Sequence, residues 1–353
     1  MNTRDGSFPA VRWPVLVVTL LTMQLVMSVG RAGERLRLGI IGLDTSHAVA
    51  FAKMFNTPGA TQDSAEREIL DGIRVVAAFP PGSIDIESSR SRREKITAEV
   101  AALNVLIVDS IPDLLERVDG VLLETNDGRP RLEQARQVIA AGKPMFVDKP
   151  VAASLPEVIA IYRLAEAAGV PIFSSSSLRF GSGVQAVREG TIGPVLGCDA
   201  AGPCGLEPTH PDLFWYGIHG VESLFTCMGR GCESVSRTRT PSTELVVGRW
   251  QGERIGTFRG MREGRKIYGG RAYGRDGTAE LGAAPGYRAL TLAIASFFKT
   301  GRPPVDPEET IEIYAFMEAA HESSRRGGGC VSLEEVLERA ERDADAILAA
   351  PKP

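Results

Sequence analysis

The 353-residue sequence predicts a two-domain α/β protein: a Rossmann-type doubly wound parallel sheet, then an α+β domain on a largely antiparallel open sheet. Three observations point there. Short apolar runs alternate with helix-length amphipathic stretches from Arg35 to Phe173, the pattern of a parallel sheet covered on both faces. After Ser177 the chain turns to β-rich segments joined by short glycine turns such as Gln251-Gly252, which suits antiparallel pairing. A composition of 43% hydrophobic and 24% charged residues is that of a globular chain long enough for two cores.

The elements follow in order. Residues 36–43 read as a buried strand, and the next helix, at about 46–55, places Ala48, Phe51, Ala52 and Phe55 on one face. Further strands are expected at 73–79, 105–108, 120–124, 144–148 and 170–173, with helices at 112–118, 131–141 and 154–168. Gly142 ends the second of these helices, and the capping box Ser154-Leu155-Pro156-Glu157 opens the third. Strands at 193–201, 244–250, 254–260 and 266–273 build the second sheet; helices at 290–298 and 308–323 bridge the domains, and 332–350 is a charged terminal helix. The domains are therefore expected at 33–150 (nucleotide-binding), 151–331 (substrate and oligomerisation) and 332–353 (terminal helix).

Residues 1–32 stand apart. Arg4 and Arg12 precede an apolar run from Trp13 to Val29, closed by small residues around Gly30 and Ala32. This is the order of an export signal, removed or kept as a membrane anchor, and it places the protein in the periplasm or on the outer side of a membrane. A net charge of −4 and no long basic tract exclude nucleic acid as a partner, and Arg90-Ser91-Arg92-Arg93 reads as a solvated helix start. The five cysteines contain no CxxC pair, so a zinc site is not expected and the thiols read as buried or free.

Asp148-Lys149-Pro150 ends the fifth strand, so its amine stands at the carboxyl edge of the sheet, where such folds bind ligands. A lysine there is either a solvated loop cation or a desolvated amine that handles protons. The first strand–helix turn reads Gly42-Leu43-Asp44-Thr45-Ser46-His47. Gly42 occupies the tight-turn position of a dinucleotide loop, but Asp44 and His47 stand where its other glycines belong, and Thr45 and Ser46 supply hydroxyl donors instead. Thr125 and Asn126 follow the fourth strand and either line the same crevice or cap the next helix. In Trp215-Tyr216-Gly217-Ile218-His219-Gly220-Val221-Glu222, Glu222 lies one turn from His219, and Asp212 is just upstream.

Gly142-Lys143-Pro144-Met145-Phe146-Val147-Asp148-Lys149-Pro150, then Gly190-Thr191-Ile192-Gly193-Pro194-Val195 and the Gly-x-His segment, together resemble the Gfo/Idh/MocA oxidoreductase family over residues 35–330. The resemblance implies NAD or NADP as cofactor, an oligomer packed through the second sheet, Lys149 as the active-site lysine and His219 as the catalytic histidine; export, where free NAD(P) is scarce, leads to the expectation that the cofactor is tightly bound. The family's aspartate four residues before that histidine is Trp215 here, so Glu222 or Asp212 would take its orienting role. Gly42, Asp44, Thr45, Ser46, Thr125, Asn126, Asp148 and Lys149 are the candidate cofactor residues. The expected activity is hydride transfer between NAD(P) and a sugar, polyol or related carbohydrate. The alternatives are a glycosidase or lyase that oxidises its sugar transiently, and a carbohydrate-binding protein that keeps the fold without catalysis.

Overall fold

The structure is a computed structural model that describes residues 35–350 except 58, 60 and 266; the export segment expected at 1–32 lies outside the described residues. The first sheet contains β1 (Leu36–Ile41), β2 (Ile73–Phe79), β3 (Leu106–Ile107), β4 (Gly120–Leu123), β5 (Met145–Val147) and β6 (Ile172–Ser174). All pair in parallel, in the order β3-β2-β1-β4-β5-β6. The order reverses between β1 and β4, and a ligand crevice opens at that switch point.

Register brings the strand ends there together. Ile41 pairs with Leu123, and Leu123 with Val147. The next residue of each strand is pinned as well: Glu124 N–H donates to Ile41 O at 2.7 Å, and Asp148 N–H to Leu123 O at 3.0 Å. Gly42 is required at the first turn. Its φ is +100°, and a Cβ there would stand 2.2 Å from the Thr125 amide nitrogen. Gly42→Ala is therefore expected to cost roughly 2–6 kcal/mol, left-handed strain and overpacking contributing about 1–3 kcal/mol each. Urea unfolding of the variant checks this.

The second sheet comprises β7 (Val195–Pro203), β8 (Cys232–Arg239), β9 (Thr243–Trp250), β10 (Arg254–Met261), β11 (Gly269–Gly274), β12 (Thr278–Glu280) and β13 (Val331–Ser332), in the order β12-β11-β7-β10-β9-β8-β13. Only β7 and β10 pair in parallel. The sequence reading missed β8, whose Cys232-Glu233-Ser234 start carries a register shift. It also missed the short helix Ser64–Leu70, while helix Arg93–Ala101, which has almost no apolar face, begins where Arg90-Ser91-Arg92-Arg93 reads as a helix start. Helices Ile218–Met228 and Pro307–Arg325 cover the inner face of the second sheet. On the other face Leu196, Ile255 and Tyr273 remain exposed.

One apolar cluster runs from Val121 and Val147 of the first sheet to Val246, Trp250 and Phe258 of the second. The two domains thus share a core, and this explains two departures from the expected boundaries. β6 pairs with β5, so the parallel sheet continues past residue 150 to Ser174. The terminal helix Leu333–Ala349 is not a separate appendage: it packs on helix Leu155–Ala167 and buries Leu333, Val336, Ala340 and Ala344. All five cysteines are free thiols, four of them buried.

Candidate active site

A pocket of about 330 Å³ opens at the switch point. Its floor is the first-sheet edge: Thr45, Ser46 and His47 from the loop after β1, Asn126 from the loop after β4, and Lys149 from that after β5. Trp215, Tyr216 and His219 close it from the second domain. Lys149 and His219, some seventy positions apart in the chain, therefore meet in one cavity.

Lys149 is buried, with its Nζ 5.8 Å from the Tyr216 ring centroid. Burial lowers its pKa from the ordinary lysine value; Asp148 pulls the other way and Arg131 adds to the lowering. The solvated-cation reading is excluded by this burial. His219 shares a 2.7 Å hydrogen bond between its Nδ1 and Ser176 Oγ. Burial, then the nearby Lys149 and His47, hold its pKa well below the usual histidine value, so the ring is neutral.

The two proposed orienters of His219 lie elsewhere. Glu222 accepts hydrogen bonds from Arg179 Nε at 2.5 Å and Ser175 Oγ at 3.0 Å. Arg179 in turn bridges to Glu309 at 2.7 Å, forming a buried ion network behind the pocket. The Glu222 carboxylate, one helical turn from His219, is thus engaged by Arg179 and Ser175, while the imidazole is engaged by Ser176. Asp212 pairs with Arg237 at 3.1 Å and Arg239 at 2.5 Å, on a separate open cavity. An ion pair with a β-strand arginine satisfies it there.

The expected cofactor residues divide into two layers. Thr45, Ser46, Asn126 and Lys149 line the pocket; Gly42, Asp44, Thr125 and Asp148 lie beneath it. Asp44 was expected to confront a pyrophosphate. Instead its carboxylate is fully buried, accepting from Ser89 Oγ at 2.6 Å and from the Asn126 N–H at 3.0 Å. Burial raises its pKa, and both hydrogen bonds oppose that. Asp44 ties the loops after β1, β2 and β4 together and presents no charge to the cavity. Asp148 accepts a 2.8 Å hydrogen bond from His47 Nδ1. Burial alone would raise the Asp148 pKa, but the charge and hydrogen bond of His47 draw it down to about 2.

Sequence reasoning missed several lining residues, among them His47, Arg92 and Tyr287. Arg92 belongs to the basic cluster assigned to solvent, yet it reaches the pocket beside Ser88. Tyr287 precedes helix Arg288–Thr300 and stacks on His47 at 4.6 Å between ring centroids.

Fold and pocket define a Rossmann protein with a ligand site shared between its two domains. Residues 36–176 match the model of the Gfo/Idh/MocA oxidoreductase family with an NAD-binding Rossmann fold, and over that stretch the chain is similar to that family. A myo-inositol dehydrogenase of Streptomyces leeuwenhoekii is 29% identical over 121 residues, a match that covers 34% of this chain and only 37% of that relative. Among solved structures, a probable dehydrogenase from Thermotoga maritima superposes with a TM-score of 0.66 at 20% identity, over 85% of this chain and all of that one. A myo-inositol dehydrogenase from Lactobacillus casei, solved with NAD(H) and myo-inositol, gives 0.66 at 15% identity over 85% and 97%. These two likenesses show the fold.

NAD is the cofactor of this family's Rossmann fold, and the pocket's donors suit it. Asp44 is turned away, so no carboxylate repels a pyrophosphate. Thr45 caps helix Ser46–Asn56 and, with Ser46, offers hydroxyls at a helix start that favours anions. Ser88 and Arg92 add a hydroxyl and a guanidinium to the same wall, and Asn126 an amide. These residues would hold the phosphate and ribose groups, replacing the missing glycine loop with side-chain donors.

Proposed function

We propose that the protein is an NAD(P)-dependent oxidoreductase acting on a hydroxyl of a sugar, polyol or related carbohydrate. The observation that carries this reading is the convergence of Lys149 and the His219 imidazole in one buried pocket beside the cofactor donors. Bound NAD supplies the hydride acceptor. Lys149 hydrogen-bonds the substrate oxygen and lowers the cost of its becoming a carbonyl. Burial lowers its pKa, the direction that eases proton exchange by an amine. A pocket imidazole takes the hydroxyl proton, and His219 is the histidine the sequence offers for this. Trp215, Tyr216 and Tyr268 line the site with aromatic faces, the two tyrosines adding hydroxyls, a surface suited to a polyol ring.

The N-terminal signal and the open face of the second sheet extend the proposal. The enzyme works outside the cytoplasm, retains its nucleotide between turnovers because free NAD(P) is scarce there, and assembles through the sheet face bearing Leu196 and Ile255.

The test is direct. The purified full-length protein is denatured, and the supernatant is assayed for nicotinamide nucleotide. In parallel, NAD and NADP are added to the folded protein and its melting temperature is followed. Released nucleotide, or a rise in melting temperature, is the expected result. If no nucleotide is released and the melting temperature does not shift, the redox reading is overturned.

A further inference from the structure

Two histidines reach the pocket, and they are supported differently. His219 has a hydroxyl partner, Ser176, and no carboxylate partner among the described residues. His47 has Asp148, 2.8 Å from its Nδ1 and nearly fully buried. We propose that His47, held by Asp148, is the group that takes the substrate's hydroxyl proton, and that His219 binds the substrate as a neutral hydrogen-bonding partner. This rests on the oxidoreductase reading and reassigns its proton.

The geometry gives the dyad its function. Asp148 accepts from Nδ1, so the proton of the neutral ring sits on Nδ1, and Nε2 is left as the acceptor on a ring that lines the cavity. The proton of the alcohol passes to Nε2. The electron pair it leaves on oxygen becomes the second bond of the carbonyl, as the hydride departs from carbon to the oxidised nicotinamide. His47 then carries a positive charge in the first turn of helix Ser46–Asn56, where the helix dipole disfavours a cation. The ionised Asp148 offsets that cost.

The groups that face His47 fit this assignment. Glu124 lies beneath it in the same cluster, with the ligand atoms of His47, Glu124 and Asp148 all within 4.8 Å. Neither Glu124 oxygen has a hydrogen-bond partner among the described residues, and burial raises its pKa well above the ordinary value. Burial thus disfavours a charge on Glu124, while His47 favours one on Asp148. Lys149, His219 and Arg92 face the ring across the pocket and oppose its charging; Tyr287 packs on its face. Asp148 is the negative charge that decides the balance. In the sequence it stands 101 residues from His47, and only the neighbouring strand ends bring the two together.

The experiment uses the full-length protein and its His47→Gln, His219→Gln and Asp148→Asn variants. The pH dependence of kcat/KM should show an acid limb that vanishes in H47Q, with kcat down roughly 10²–10⁴-fold and KM little changed. In H219Q the limb should persist while KM rises. In D148N it should move to lower pH, because the carboxylate favours the protonated ring. A limb that survives in H47Q and disappears in H219Q overturns the proposal. A second readout is independent of turnover and of whether D148N folds. In 15N spectra of the wild type, with H47Q assigning the signal, His47 should be protonated at Nδ1 and bare at Nε2. The opposite tautomer overturns the dyad even if the protein proves to bind no nucleotide; a wild type that binds no nucleotide but has the expected tautomer removes the redox reading alone. Stoichiometric transition metal that is lost in both H47Q and Glu124→Gln would also overturn it, by making His47 a ligand.

Discussion

Lys149→Met is expected to lower kcat/KM by roughly 10²–10⁴-fold while the protein still folds. Methionine keeps the length and apolar stem of lysine, so the space beneath Tyr216 remains filled. What it removes is the amine at the mouth of β5, on the pocket wall. Loss of that charge leaves Asp148 with His47 as its hydrogen-bond partner and Arg131 nearby, so the carboxylate is not abandoned. The variant should also unburden His219, whose pKa is depressed first by burial and next by Lys149. Its ring should then titrate at higher pH than in the wild type. Steady-state kinetics and a urea midpoint together check the result. A variant that keeps wild-type turnover would remove Lys149 from the reaction, whichever histidine takes the proton.

The parallel sheet was legible because its strands are short, apolar and bounded by turn residues, and local pattern is enough for that. The position of Lys149 at a strand end followed from strand order alone. Chemistry that depends on pairs of distant residues was not legible. Asp44 looked like a charge aimed at a phosphate because the sequence cannot show Ser89, 45 residues later, taking its carboxylate. His47 looked like a displaced glycine because its partner Asp148 lies four strands on. One signal was available. Asp44, Glu124 and Asp148 each follow an apolar strand of the first sheet, so three carboxylates had to converge at one edge, and His47, in the first turn of the helix after β1, was placed to join them. Glu222 failed for a different reason. Helical spacing put it one turn from His219, but spacing does not say what lies opposite, and there Arg179 waits on the short 3₁₀ turn Ser177–Phe180.

That network sets the largest stability effect. Arg179 lies between Glu222 at 2.5 Å and Glu309 at 2.7 Å; all three are nearly fully buried, and Arg188 reaches Glu309 from the rim at 3.1 Å. Arg179→Met removes the shared cation and leaves two carboxylates facing each other with Arg188 as partial relief. Breaking a buried ion pair in this way costs about 3–5 kcal/mol, far more than the pair contributes relative to apolar residues. The urea midpoint should fall, with its slope unchanged. The pH dependence has a definite sign. Burial raises the Glu309 pKa and the two arginines more than reverse it, so the folded value is below the ordinary one. Its stabilisation in the wild type is present above the unfolded carboxylate pKa and is lost as pH falls through the folded value. In Arg179→Met the depression is gone and Glu309 takes up a proton sooner, so the difference between variant and wild type should be full at pH 7 and shrink toward pH 4. Glu222→Gln separates structure from catalysis at the same place. It should lower stability while leaving kcat per folded molecule and its acid limb unmoved. Unchanged stability with a lost acid limb would return Glu222 to the role of orienting His219.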